Sequence, residues 1–233
     1  MPDDTRDIIL TRIRTNLLVR RDERDVSGEA FAVSNFQRSA EESGGLGKGL
    51  VQRFEEELAL VGGSIRRVFS KEELLASFSD LCRSEAYHNL VLSREPSIEE
   101  LRLDEELKKR VPGITLSKVS GTNLIAQLQV ADVGVTGCQY LAAETGTVVV
   151  RSSPEAPRAL SLLPRAHIVI AKEEQLLSTV AACLAKLSVD QAHPSSAITF
   201  ITGPSRTADI EKVLVKGVHG PKSLHVLISS GSI

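Results

Sequence analysis

A carboxylate followed by two hydroxyls around a glycine stands between two apolar runs. Ala143-Glu144-Thr145-Gly146-Thr147 follows Ala131-Asp132-Val133-Gly134-Val135-Thr136-Gly137 and precedes Val148-Val149-Val150. The apolar runs read as buried strands and the polar stretch as a turn between core segments. Turns at strand ends are where α/β proteins place chemistry, because the sheet fixes a polar group that the loop leaves accessible. Glu144 is therefore a candidate base or nucleophile, with Thr136, Gly137, Thr145, Gly146 and Thr147 as ligand-facing neighbours. The structural alternative is that its carboxylate caps or braces the adjoining turn.

A second polar turn follows the run Ile198-Thr199-Phe200-Ile201-Thr202. A strand ending at Gly203 and leading into a helix over about Ala208 to Lys216 places hydroxyls, a guanidinium and free backbone N–H groups at a positive helix end. That suits an anion. Gly203, Pro204, Ser205, Arg206, Thr207 and Asp209 are on this reading the groups that hold a small carboxylate or phosphate, at the same carboxyl-end edge of the sheet as Glu144. Alternatively, Thr207 is a plain N-cap and Arg206 pairs with Asp209 or Glu211. His219, in Gly217-Val218-His219-Gly220-Pro221, sits on a turn and reads either as a proton donor to the ligand or as a hydrogen-bonding brace. Arg158, after Pro157, either adds charge to the same cleft or lies on a helix surface. The remaining histidines, His88, His167, His193 and His225, have no metal-ligand spacing. No metal and no cofactor is expected.

The elements that position these groups alternate. Helices are predicted over Leu50 to Val61, Lys71 to Arg83 with Ser70 as its cap, Ser97 to Val111, Thr122 to Gln129, Ala156 to Leu162 and Glu173 to Leu187. Strands are predicted over Ser64 to Phe69, Asn89 to Leu92, Ile114 to Val119, Ala131 to Gly137, Thr147 to Arg151, Ala166 to Ala171, Ile198 to Thr202 and Leu224 to Ser229. The alternation implies an α/β fold with an open, largely parallel, Rossmann-like sheet of about seven strands. An amphipathic stretch with Ile8, Ile9, Ile13, Leu17 and Leu18 implies an N-terminal helical arm, and Ser27 to Gly49 reads as a linker. Residues 1–49 are thus the arm and linker, and 50–233 one α/β domain. Gly44-Gly45-Leu46-Gly47-Lys48-Gly49 lacks the first glycine, the hydroxyl after the lysine and the preceding strand of a phosphate loop, so it reads as a connector.

The three turns, Ala-Glu-Thr-Gly-Thr at 143–147, Gly-Pro-Ser-Arg-Thr-x-Asp-Ile-Glu at 203–211 and Gly-Val-His-Gly-Pro at 217–221, occur in that order. From about Phe54 onward the chain resembles the lactate-utilisation (LUD) domain family, and within it the small subunit. The resemblance implies a fold similar to the phosphosugar isomerase and CoA-transferase group. It also implies an accessory role beside iron-sulfur subunits in a complex oxidising L-lactate to pyruvate. A free-standing isomerase- or CoA-transferase-like enzyme, working through Glu144 on a phosphorylated or thioester substrate, is the other implication.

Composition narrows the remaining classes. The 233 residues carry 28 Lys plus Arg against 30 Asp plus Glu, a net charge of -2, with no basic block, so nucleic acid is not an expected partner. No apolar stretch is long enough to span a bilayer, and Met1-Pro2-Asp3-Asp4 opens acidic, so a cytoplasmic protein without a membrane partner is expected. Cys82, Cys138 and Cys183 are an odd number without a C-x-x-C pair, which indicates neither a disulfide framework nor an iron-sulfur motif. Cys138 follows Thr136-Gly137 and reads as a small buried residue in preference to a reactive thiol.

Overall fold

The computed structural model describes residues 47–121, 123–189, 195–208, 214–216 and 220–231. The predicted arm, the linker up to residue 46, and Asp209, His193 and His219 lie outside them.

The chain enters by helix α1 (Gly47–Leu60), so Gly47-Lys48-Gly49 opens a helix. Strand β1 (Ser64–Val68), helix α2 (Lys71–Ser84) and strand β2 (Asn89–Leu92) follow. Ser70 caps α2 as expected, its Oγ accepting from the Glu73 backbone N–H at 3.2 Å, with Glu72 and Glu73 in the first turn and Arg83 in the last. The single helix expected over Ser97 to Val111 is two, α3 (Pro96–Glu99) and α4 (Leu103–Arg110). Arg102 turns left-handed between them (φ 52°), which lets both Leu101 and Leu103 reach the core. Strand β3 (Thr115–Lys118), helix α5 (Leu124–Gln129) and strand β4 (Val133–Thr136) complete the first half. Leu128 of α5 is fully buried, whereas Ile125 is exposed.

Beyond β4 come β5 (Tyr140–Ala142), β6 (Thr147–Arg151), a 3-10 turn (Arg158–Ser161) and β7 (Ala166–Lys172). Then β8 (Leu176–Leu177), helix α6 (Val180–Val189), β9 (Ile198–Thr202), β10 (Arg206–Ala208), β11 (Leu214–Lys216) and β12 (Ser223–Ser229) follow. Six strands form the main sheet in the order β1-β12-β7-β4-β2-β3, every pair parallel. Because both faces are covered, its strands are apolar on both. Val133, Val135, Ile168 and Ile170 join Phe78 and Leu107 on one side. Val169, Ala171, Val226 and Ile228 join Phe54 and Leu58 of α1 on the other.

Two expected members of the parallel sheet are elsewhere. Strands β6 and β9 belong to a second, four-stranded mixed sheet in the order β8-β5-β6-β9. There β5 and β6 form an antiparallel hairpin with Ala142 opposite Thr147, and β6 runs antiparallel to β9 with Thr147 opposite Thr202. An apolar run such as Val148-Val149-Val150 does not say which sheet it joins. The helix expected over Glu173 to Leu187 is a 3-10 turn (Glu173–Gln175), then β8, then α6. Leu176 and Leu177 leave the helical path because they pair with Leu141 and Ala142 of β5. Where a helix was expected over Ala208 to Lys216, the described residues at its two ends are strands instead: β10 and β11 pair antiparallel, Arg206 opposite Lys216 and Ala208 opposite Leu214. The described residues at both ends of that stretch are therefore strand and supply no helix start to face an anion.

Candidate functional site

The turn carrying Glu144 is the four-residue loop of the β5–β6 hairpin, seated on the last turns of α1. Gly146 has φ 60°, and a Cβ there would run into the backbone N and Cα of Leu58. Gly203 in the second turn has φ 81°, and its Cβ would lie 2.6 Å from the Val61 carbonyl oxygen. Only glycine admits both the backbone conformation and the approach. The two turns therefore close onto one helix end, and a hydroxyl chain ties them together. Thr147 Oγ1, buried, lies 2.6 Å from Thr145 Oγ1 and 2.7 Å from Thr202 Oγ1.

The two charged candidates of these turns that lie among the described residues, Glu144 and Arg206, have helix-end partners of matching polarity. Glu144 Oε1 accepts from the Val180 N–H at 2.7 Å, at the amino end of α6, where Thr179 Oγ1 also accepts from the Ala182 N–H. Arg206 Nη2 donates to the Val61 carbonyl at 2.5 Å, just past the carboxyl end of α1. An anion at a helix start and a cation at a helix end are each favoured by the peptide dipoles. Ser205 is joined through its backbone N–H to the Pro221 carbonyl at 2.9 Å, and Pro204 is buried.

Thr136 and Gly137 lie apart from these turns, at the carboxyl end of β4 in the main sheet. Strand β2 passes the chain outward to β3, while β4 passes it the other way to β7, so the sheet reverses direction between β2 and β4. Such a reversal opens a crevice at the strand carboxyl ends, the usual ligand position in open α/β sheets. Here the crevice is about 10 Å³ and is lined by Glu95, Thr136, Gly137, Arg151, Arg158 and Ser161, among others. Glu95 Oε2 accepts two hydrogen bonds, from the Gly137 N–H and from Ser93 Oγ, both at 2.8 Å. Behind it, His167 Nε2 lies 2.9 Å from Thr136 Oγ1, which donates to the Gly137 carbonyl at 2.7 Å. Burial, helped by the nearby His225, pushes the His167 pKa down to about 3, so the imidazole is neutral.

Further along the same edge lie two adjoining clefts of about 310 and 230 Å³ that share Lys172 and Glu174. The larger is completed by Glu173 and Ser229 to Gly231, the smaller by Ser97, Glu100 and Gln175. Neither Glu95 nor Lys172 was singled out in the sequence. The signal for Glu95 was present, since Arg94-Glu95-Pro96 follows a buried strand as Glu144 follows Ala142. Cys138 is buried as expected, its thiol pushed up by burial and then by the Glu95 charge. Burial likewise drives Cys82 and Cys183 up to about 12. Among the described residues no helix is long and apolar enough to cross a membrane.

Comparison with known proteins gives this architecture relatives. The chain is 36% identical over 153 residues to the Escherichia coli protein YkgG, covering 64% of this chain and 66% of that one. Lactate utilization protein C of Deinococcus radiodurans is 40% identical over 106 residues, 44% of this chain and 49% of that protein. The Bacillus subtilis protein of the same name is 35% identical over 149 residues, 60% and 62% respectively. The matched stretches thus span about half to two thirds of these curated relatives. A crystal structure of a DUF162 family protein from Deinococcus radiodurans shares the fold, with a TM-score of 0.56 at 22% identity over 79% of this chain and 99% of that one. The LUD domain profile matches residues 51–229, from helix α1 to the end of β12, and the chain belongs to the LUD domain family.

Proposed function

We propose that this chain serves lactate utilisation as a subunit without an iron-sulfur cluster of its own, acting beside iron-sulfur subunits in the oxidation of L-lactate to pyruvate. In this reading the carboxyl edge of the parallel sheet takes a small carboxylate. The observation that carries it is the Gly137 N–H at the sheet's reversal point, which already holds a carboxylate in a crevice lined by Arg151 and Arg158. Kinship with relatives named for lactate utilisation supplies the pathway. The cysteines support the division of labour: Cys82, Cys138 and Cys183 are buried in three different packing clusters, whereas a cluster takes about four converging thiolates.

A second reading makes the chain a free-standing enzyme on a phosphorylated or thioester substrate. Glu144 would be base or nucleophile, His219 a proton donor, and Thr145, Gly146, Thr147 and the Gly203 to Asp209 stretch the ligand groups. The hydroxyl chain of Thr145, Thr147 and Thr202 beside Glu144 favours it. The Glu144 bond to α6 and the β10–β11 hairpin disfavour it.

Co-expression with candidate iron-sulfur subunits, followed by affinity purification and a lactate-dependent dye-reduction assay, tests the first reading. It requires co-purification, and lactate oxidation that falls when this chain is omitted. Product formation from an acyl-CoA or sugar phosphate by the chain alone, with a hydroxylamine-trappable Glu144 thioester in the transferase case, would replace it by the second.

A further inference from the structure

We propose that the crevice between the carboxyl ends of β2 and β4 is a monocarboxylate site whose present occupant is the chain's own Glu95. This rests on the reading of the carboxyl edge as an anion site, and deepens it by naming the groups and the ligand class.

The donors on Glu95 are those an external carboxylate would use. One is a backbone N–H at the end of a buried strand, and the other is the hydroxyl of Ser93, itself fully buried. Both converge on a single oxygen, Oε2. The crevice mouth carries Arg158, which is exposed and forms no ion pair among the described residues. Arg158 is brought there by the 3-10 turn it opens. That turn can lie on β4 only because Gly134 has no side chain: a Cβ there would collide with the Leu160 carbonyl oxygen.

At about 10 Å³ the crevice holds roughly one water with Glu95 in place, so a ligand enters only when that side chain leaves. Glu95 is half-buried and follows the strand in a loop, so it can swing toward solvent. The fragment it withdraws is CH2–COO⁻, the skeleton of acetate. One negative charge leaves and one arrives, which selects monoanions of two or three carbons over phosphate dianions. A small 2-hydroxy or 2-oxo acid fits that description.

The test uses the full chain as wild type, Glu95→Ala, Glu95→Gln and Glu95→Ala/Arg158→Ala. Acetate, lactate and pyruvate are titrated by thermal unfolding and calorimetry, with phosphate and chloride as controls at constant ionic strength. Removing the internal competitor should raise acetate affinity about tenfold or more over wild type, because binding is no longer weakened by the fraction of molecules with Glu95 seated. Glu95→Gln, which keeps the amide oxygen in place, should gain less. Adding Arg158→Ala should cost about tenfold in affinity by removing a charge-assisted bond. Equal affinity in wild type and Glu95→Ala overturns the proposal, as does equal binding of phosphate or chloride. If Glu95→Ala does not fold, wild type and Arg158→Ala are compared, and identical lactate affinities overturn it. Lactate binding that is untouched by all these substitutions would leave the carboxyl-edge reading standing and move the ligand to the Lys172 clefts.

Discussion

Substituting Glu144 separates its two possible roles. Its Oε1 holds the Val180 N–H at 2.7 Å, and its own N–H donates to the Ser178 carbonyl at 3.0 Å, so the side chain bridges the hairpin loop to the start of α6. Losing a side-chain acceptor at a helix start costs about 0.5–2 kcal/mol, and the half-buried position of Glu144 places Glu144→Ala near 1 kcal/mol. Glu144→Gln keeps an oxygen acceptor and loses only the charge, a penalty of about 0.3–1 kcal/mol that shrinks with added salt. For a chain of this size each kcal/mol moves the melting temperature by about 2–4 °C. Denaturant unfolding and calorimetry would read these differences, and hydrogen exchange at Val180 would locate them. Faster exchange confined to the first turn of α6 is the expected pattern. A neutral Glu144→Ala, within about 0.3 kcal/mol and with Val180 still protected, would refute the capping role and return Glu144 to the list of reactive groups.

Gly146→Ala should be far more damaging than Glu144→Ala: it combines a left-handed conformation with overpacking against Leu58 in α1, together about 2–5 kcal/mol by chemical denaturation, and a loss below about 0.5 kcal/mol would contradict the seating of the turn. The buried His167 gives a pH dependence of definite sign. The unfolded chain binds a proton at this residue near the ordinary 6.5 and the folded chain not until about 3, so stability declines as pH falls through that window, by about 1.4 kcal/mol per unit at most. His225, lowered by burial, adds in the same direction. His167→Gln should flatten the slope of stability against pH between 6 and 4, and an unchanged slope would show that other groups set it.

Much of the main sheet was legible because buried parallel strands write themselves as apolar runs. Asn89–Leu92 is a strand over the predicted residues, and Ser70 opens α2 as expected. What the pattern could not show was which runs pair. Val148 to Val150 looks the same in either sheet, and its partner is set by the tight Ala143–Gly146 loop and by Thr202, fifty-five residues away. Leu176 and Val180 keep helical spacing although one lies in a strand and the other in a helix, and they pack in different clusters, one with Leu141 and Val148 and the other with Ala142 and Val149. The site divided for the same reason. Thr136 and Gly137 end a strand of the main sheet, whereas Glu144 to Thr147 and Gly203 to Arg206 lie beside the second sheet and the end of α1. Treating every polar turn after an apolar run as one edge merged two places. Glu95 was overlooked although it, too, follows a buried strand.

The most direct measurement is thermal unfolding of wild type and Glu144→Gln, each titrated with lactate, pyruvate, a sugar phosphate and an acyl-CoA. A ligand at a hundred times its dissociation constant adds about 2.7 kcal/mol, a shift of several degrees. The account predicts that lactate or pyruvate stabilises both proteins by the same increment, while sugar phosphate and acyl-CoA stabilise neither. Stabilisation of wild type by a sugar phosphate or acyl-CoA, abolished in Glu144→Gln, would contradict it and make Glu144 the centre of an enzyme.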